Sequence, residues 1–186
     1  LTKVELRRLV LSKRGELTPE QRREKSAAIQ ERLFYLPEFQ QAAVVLFFIG
    51  FGSEVDTLPM LEAALGQGKL VVAPKVLKGN SNLVLRQVAQ PASQLQPGTM
   101  GILEPDNTCP EIALEEIPLI IVPAVAWEES GYRLGYGGGF YDRLLARSKA
   151  LKVGLGFDCQ VVEAVPRAAH DLPVDRLITE SRVLEF

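Results

Sequence analysis

Two apolar runs limit what this chain can become. Residues 43–49 (AVVLFFI) and 118–127 (PLIIVPAVAW) carry neither charge nor polar alternation, so a strand built from either is apolar on both faces. A sheet with one wet face needs that alternation; strands covered on both sides belong to parallel or mixed sheets flanked by helices. Shorter strand patterns follow at 69–76 (KLVVAPKV), at 83–88 with edge character, at 152–157 (KVGLGF) and over 177–186. Glycines Gly154 and Gly156 inside the third of these mark a close approach by another part of the chain. Helical patterns near residues 20, 58 and 140 alternate with the strands. A Thr2/Glu5 capping box opens a further helix to about Lys13, with Leu6, Leu9 and Val10 on its apolar side. Thr18-Pro19 opens the next, with Ile29, Leu33 and Leu36 as its inner stripe before Pro37. The expectation is one α/β domain over residues 1–186, with a mainly parallel central sheet and helices on both faces.

Other classes drop out on composition. At 186 residues and 47% hydrophobic the chain can bury one good core. A formal charge of −2 gives no electrostatic case for nucleic acid or an acidic membrane. Neither apolar run reaches the roughly 20 residues of a membrane-spanning helix. The opening LTKVELRRLV is charged throughout and lacks a secretion-signal core; it also lacks an initiator Met, so residues are expected upstream. Cys109 and Cys159 have no metal-ligand spacing, and a cytoplasmic monomer is expected. His170 stands alone, which excludes a multi-histidine metal site. No G-x-S-x-G elbow accompanies it, so it is expected to be structural.

The chemistry concentrates in residues 131–145 (GYRLGYGGGFYDRLL). Gly135, Gly137, Gly138 and Gly139 free the backbone for positive φ and close ligand approach. Phe140, Tyr141, Leu144 and Leu145 then read as the buried stripe of a helix. Strand, glycine loop and helix start in that order make an anion site. The stretch is neither a Walker loop, which needs Lys-Ser or Lys-Thr after the last glycine, nor a dinucleotide fingerprint, whose third glycine is missing. A tight packing turn would use the same glycines. Arg133 before them and Asp142 after them tilt the reading to phosphate and metal.

Elsewhere the residues alone leave alternatives open. Lys3 and Arg7, one turn apart, can hold one anion, although with Arg8, Lys13 and Arg14 the spacing favours a solvated basic face. Glu54 and Asp56 follow a central strand, where open α/β sheets bind ligands, or cap the next helix. Lys75 faces phosphate or solvent. Residues 90–110, rich in proline and glycine, read as a long loop or lid. Within it Met100, Ile102 and Leu103 cover a flat ring or simply pack.

RLGYGGGFYDRLL resembles the signature of the 5-formyltetrahydrofolate cyclo-ligases, or methenyltetrahydrofolate synthetases, and the order of features matches over nearly the whole chain. The resemblance implies Mg²⁺-ATP-dependent closure of 5-formyltetrahydrofolate to 5,10-methenyltetrahydrofolate on a layered α/β fold. It implies ATP contacts from Lys3 and Arg7, which match an amino-terminal Lys-x-x-x-Arg, and from Arg133, Leu134, Gly135, Tyr136, Gly137, Gly138, Gly139, Phe140 and Tyr141. Folate contacts are implied for Ile49, Glu54, Tyr136, Gly137, Gly138, Gly139 and Phe140. A carboxylate at Glu54 suits the donor groups of a pterin. Asp142 and Asp171 are implied on the Mg²⁺ side, with Asp175 as competitor for the second. Two departures are visible: Phe140 stands where Tyr is usual, and Trp127-Glu128 where Phe-Asp is usual. A silent nucleotide- or RNA-binding relative, and an isomerase or CoA-transferase working without ATP, are the competing classes.

Overall fold

The computed structural model describes residues 1–79 and 82–186. Helix α1 (Lys3–Gly15) starts at the expected box: Glu5 N donates to Thr2 Oγ1 at 3.2 Å, and Thr2 N to Glu5 Oε2 at 2.8 Å. Helix α2 (Pro19–Tyr35) repeats the device with Thr18 and Gln21, and α3 (Pro37–Gln41) follows directly. Next come β1 (Val44–Leu46), α4 (Leu58–Gly66), β2 (Leu70–Val76) and β3 (Leu83–Val88). Residues 90–110, expected as a loop or lid, instead hold α5 (Pro91–Gln94) and a hairpin of β4 (Leu95–Pro97) and β5 (Leu103–Pro105), with a 3-10 turn at Thr99–Gly101. The chain ends with β6 (Leu119–Val122), β7 (Ala126–Glu128), β8 (Arg133–Leu134), α6 (Phe140–Ala146), β9 (Leu151–Leu155), β10 (Val161–Val162), β11 (Arg176–Ile178) and β12 (Val183–Glu185).

The central sheet has seven strands in the order β12-β11-β9-β6-β1-β2-β3. Its interior pairs are parallel, and β3 and β12 close the edges antiparallel. In the middle, Val45 of β1 stands opposite Leu119 and Val71. Val45 packs into a core with Ile29, Phe39 and Leu61 from α2, α3 and α4, while its neighbour Leu46 joins Val72, Ile120 and Leu144 of α6 on the other face. Both faces are dry, which is what the unbroken apolar run required. Burying each such side chain contributes about 1.5–3 kcal/mol.

The second apolar run is not one strand. β6 ends at Val122, where Pro123 has no N–H to extend the ladder. The chain then leaves the sheet, and β7 joins a separate three-stranded sheet in the order β10-β7-β8. Trp127 anchors that departure. It is fully buried, and Nε1 donates to Leu155 O at 3.1 Å. Its ring lies where a Cβ on Gly154 or Gly156 would stand, at 2.3 and 2.6 Å. The expected strand over 177–186 is likewise two strands, β11 and β12, folded back on each other.

Helix α1 packs outside this frame, with Leu6 and Val10 against Val125, Ala126, Leu134 and Val165. Leu9, expected on the apolar side, is 43% exposed, and the buried stripe continues instead to Arg14. No helix among the described residues is long and apolar enough to cross a membrane.

Candidate active site

The segments after β1, β6 and β8 open onto one cleft of about 530 Å³, bordered by α1 and by the β4–β5 hairpin. That is the position open α/β sheets use for ligands, at a size suited to a small organic molecule. Apart from the competitor Asp175, every residue the resemblance named for nucleotide, folate or metal lines it.

The glycine loop forms one wall. Gly137 and Gly139 have φ of 109° and 67°, so the freedom expected of four glycines is spent at two. Arg7 Nε donates to Gly135 O at 2.8 Å, and Arg143 Nη2 to Gly138 O at 2.9 Å. The Arg143 guanidinium also lies 5.4 Å from the Phe140 ring centroid. Two arginines therefore pin the loop from either side. Sequence reasoning assigned nothing to Arg143; its place four residues after Gly139 was the available signal. Helix α6 is only seven residues long, so exposed N–H groups and side-chain cations, more than a helix dipole, make this wall attractive to anions. Gly139→Ala is expected to destabilise by about 1–2 kcal/mol, since an L-residue is forced into the left-handed region. Its Cβ would also stand 2.8 Å from Arg143 Nη1, so loop order and turnover should fall with it. Urea unfolding and steady-state kinetics on that variant check both.

Beside the loop, Arg133 Nη2 donates to Asp142 Oδ1 at 2.6 Å; the Arg133 side chain is 5% exposed and that of Asp142 47%. Burial pushes the Arg133 guanidinium down from its ordinary value, and the charges of Asp142 and Asp171 act against that. The cation expected for phosphate and the acid expected for metal thus neutralise each other. Asp171 faces the same cleft and holds its own turn, its Oδ2 accepting from Ala168 N at 2.7 Å. The competitor Asp175 is elsewhere: just ahead of β11, it accepts from Lys152 N of β9 at 2.7 Å. His170 is an exposed neighbour of Asp171, with its Nε2 3.8 Å from Oδ1. Glu128, one of the two departures, is buried, pairs with Arg167 and accepts from Val165 N at 3.0 Å, fixing the approach to Pro166 and Asp171.

The opposite wall is an acceptor in an apolar setting. Glu54 is 7% exposed; Oε1 accepts from Tyr136 OH at 2.7 Å and Oε2 from Phe51 N at 3.0 Å. Burial raises its carboxyl above the usual carboxylate range, opposed by those two bonds and by Arg14. Phe51 and Tyr136 pack with ring centroids 5.6 Å apart, and buried Ile49 lies alongside. Met100, Ile102 and Leu103 of the hairpin face the same space. Between the two walls stands Tyr141, whose buried hydroxyl has no hydrogen-bond partner among the described residues and feels both Glu54 and Arg133. An orphaned hydroxyl on a cleft is a place for a ligand atom. Leu134 lines the cleft too, but its side chain belongs to the core with Leu6 and Val10.

The Lys75 side chain is 13% exposed and does not line the cleft. Its Nζ is 3.4 Å from Glu104 and donates to Pro105 O at 3.3 Å, tying the hairpin to β2. Lys3 lies at the rim, at the exposed start of α1. Arg14, expected on a solvated basic face, is instead buried behind Glu54 and Tyr136. Its position four residues beyond Val10, on the buried stripe of α1, was the signal that could have found it.

Known proteins of like sequence and shape bear on this cleft. The sequence profile of the 5-formyltetrahydrofolate cyclo-ligase family matches residues 1–180. The 5-formyltetrahydrofolate cyclo-ligase of Escherichia coli K12 is 34% identical over 182 residues, covering 96% of this chain and all of that protein. The enzyme of the same name from Haemophilus influenzae is 30% identical, over 87% of this chain and 88% of its own. The solution structure of 5,10-methenyltetrahydrofolate synthetase from Aquifex aeolicus superimposes with a TM-score of 0.88 at 40% identity, covering 100% of this chain and 93% of that one. A Mycoplasma pneumoniae 5,10-methenyltetrahydrofolate synthetase, 20% identical with a TM-score of 0.78 over 97% and 99% of the two chains, shares the fold. With the profile spanning α1, the glycine loop and all of the central sheet but β12, the chain belongs to the 5-formyltetrahydrofolate cyclo-ligase family.

Proposed function

We propose that this chain converts 5-formyltetrahydrofolate to 5,10-methenyltetrahydrofolate at the expense of ATP, releasing ADP and phosphate. The observation that carries the reading is one cleft with two unlike walls. One is cationic and built of bare backbone; the other is apolar and ends in the buried acceptor Glu54. A triphosphate suits the first and a reduced pterin the second.

The formamide of the substrate has a poor leaving oxygen and a weakly electrophilic carbon. Moving the γ-phosphoryl group of ATP onto that oxygen corrects both. N10 then attacks the formyl carbon and gives up its proton, the C–O bond breaks, and the oxygen leaves with phosphate, which takes up that proton, as the methenyl bridge closes. The chain's part is positioning and charge neutralisation. Lys3, Arg7 and Arg133 hold the triphosphate with the amides of the glycine loop. Phe140 and Tyr141 limit the space beside it, and Glu54 accepts from the pterin donors. Ile49 and Tyr136 border the pterin.

Two carboxylates on the nucleotide side, Asp142 and Asp171, fit Mg²⁺, which takes one or two acids and completes its shell with phosphate and water. No group of three acid, histidine or cysteine side chains that could form a protein-only metal site occurs among the described residues. When bound, the ion neutralises charge gathering on the phosphate oxygens. A cytoplasmic setting goes with the reading, supported by the free thiols of Cys109 and Cys159.

The test mixes purified protein, Mg²⁺-ATP and 5-formyltetrahydrofolate and follows methenyl product by absorbance. No product, with folded protein, would overturn the reading. Binding alone has a separate readout. At a hundredfold excess over Kd a ligand stabilises by about 2.7 kcal/mol, a rise of several degrees in Tm for a chain of this size. Mg²⁺-ATP and 5-formyltetrahydrofolate should each give that rise, and coenzyme A and sugar phosphates should not.

A further inference from the structure

The chemistry above uses the amino end of α1 and leaves its carboxyl end without a task. That end carries a buried charge, Arg14, 3% exposed. Nε donates to Ser53 Oγ at 2.9 Å and Nη2 to Tyr136 OH at 2.9 Å, while Nη1 has no partner among the described residues. Tyr136 passes the contact on by donating to Glu54 Oε1 at 2.7 Å. Burying a guanidinium with a donor left over is costly unless it serves an anion nearby. The bonds it does make run to the loop after β1 and to the exposed, cleft-lining Tyr136, not to the interior of a core.

We propose that Arg14 is a positioning residue for folate recognition: through Ser53 and the Tyr136 hydroxyl it sets the Glu54 carboxylate in the floor of the cleft. The proposal rests on Glu54 receiving the pterin. It also gives α1 a second function. Arg7 and Arg14 lie about 10 Å apart along one helix, so a single rigid element reaches both walls.

The groups facing Glu54 are Arg14 from α1, Tyr136 from the loop ahead of α6, and Tyr141 from α6. Burial drives both phenols well above their ordinary values, so they stay protonated donors and Glu54 is the group left to titrate. Burial raises Glu54 and the Arg14 charge acts against it. Without that charge Glu54 holds its proton to higher pH and loses acceptor capacity for a pterin.

The experiment measures KM for each substrate, kcat, and the pH profile of kcat/KM for 5-formyltetrahydrofolate in R14M, R14K, Y136F and E54Q. R14M is expected to raise the folate KM roughly tenfold or more, the weight of one charge-assisted hydrogen bond, with the ATP KM unchanged. Its acid limb should move to higher pH. R14K keeps the charge and should return the limb towards its original place while the KM stays raised, since an ammonium cannot reproduce the fork. If R14M shifts both KM values alike and leaves the limb in place, Arg14 is only a structural residue and the proposal falls. If R14M does not fold, Y136F removes the bridging hydroxyl alone, and an unchanged folate KM there overturns the proposal equally. E54Q separates the two ideas. An unaltered folate KM in E54Q sinks the role of Glu54 itself, whereas a raised one beside a normal R14M sinks Arg14 only.

Discussion

Asp142→Asn is expected to lower turnover roughly a hundred- to a thousandfold while leaving the melting temperature within several degrees of that of the unaltered chain. The stability half follows from exposure. The Asp142 side chain is 47% exposed; its partner Arg133 is only 5% exposed but keeps the Asp171 charge beside it, so the change should cost about 1–2 kcal/mol. Asparagine keeps the volume and an oxygen for Arg133. The kinetic half follows from charge. In the proposed reaction Asp142 and Asp171 are the only acids offered to Mg²⁺, and an amide is a poor ligand for so hard an ion. Losing several kcal/mol of charge stabilisation corresponds to the stated factor. The present pairing of Asp142 with Arg133 sharpens the test. If Asp142 merely orients Arg133, the loss in D142N should not respond to Mg²⁺ concentration. If it holds the ion, raising Mg²⁺ should recover part of the rate. Full activity in D142N at ordinary Mg²⁺ would remove the metal role altogether.

Much of this cleft could be read before the fold was seen, for a local reason. Capping boxes at Thr2 and Thr18, a dry central strand at 44–46 and the glycine loop are each specified by neighbours in sequence. What stayed hidden depends on distant partners. Arg14 looked like one more member of a solvated basic face. Only Ser53, Glu54 and Tyr136, brought up from other elements, make its burial tolerable. The run at 118–127 hid its break because apolar residues continue on both sides of Pro123, though one half lies in the main sheet and the other in a different one. Residues 90–110 looked irregular through their prolines and glycines. All of these but Pro110 in fact sit at the start of α5 or at the ends and turn of the β4–β5 hairpin, where missing donors and positive φ do no harm. Lys75 was undecided for the same reason, since its acid, Glu104, arrives on that hairpin.

Trp127→Ala should be the most damaging single change to stability, costing about 3–5 kcal/mol of a total near 5–15 kcal/mol. The upper end is expected because the vacated space is bordered by Gly154 and Gly156, which have no side chains to relax into it. Leu155 O loses its indole donor as well. Activity should fall with stability, since β7 leads into β8 and places Arg133. Urea unfolding measures the cost, and a loss below about 1 kcal/mol would mean that the pocket collapses without strain. The family resemblance makes a sharper version possible, because phenylalanine is usual at this position. Gly154→Ala alone is expected to cost about 1–3 kcal/mol, as its Cβ would meet the indole's six-membered ring at 2.3 Å. Phenylalanine carries no ring that far out. Combined with Trp127→Phe, the same alanine should therefore cost clearly less than it does alone, a coupling that touching side chains produce and distant ones do not. Additive losses in that double variant would show that Trp127 and the glycine strand are not packed against each other as described.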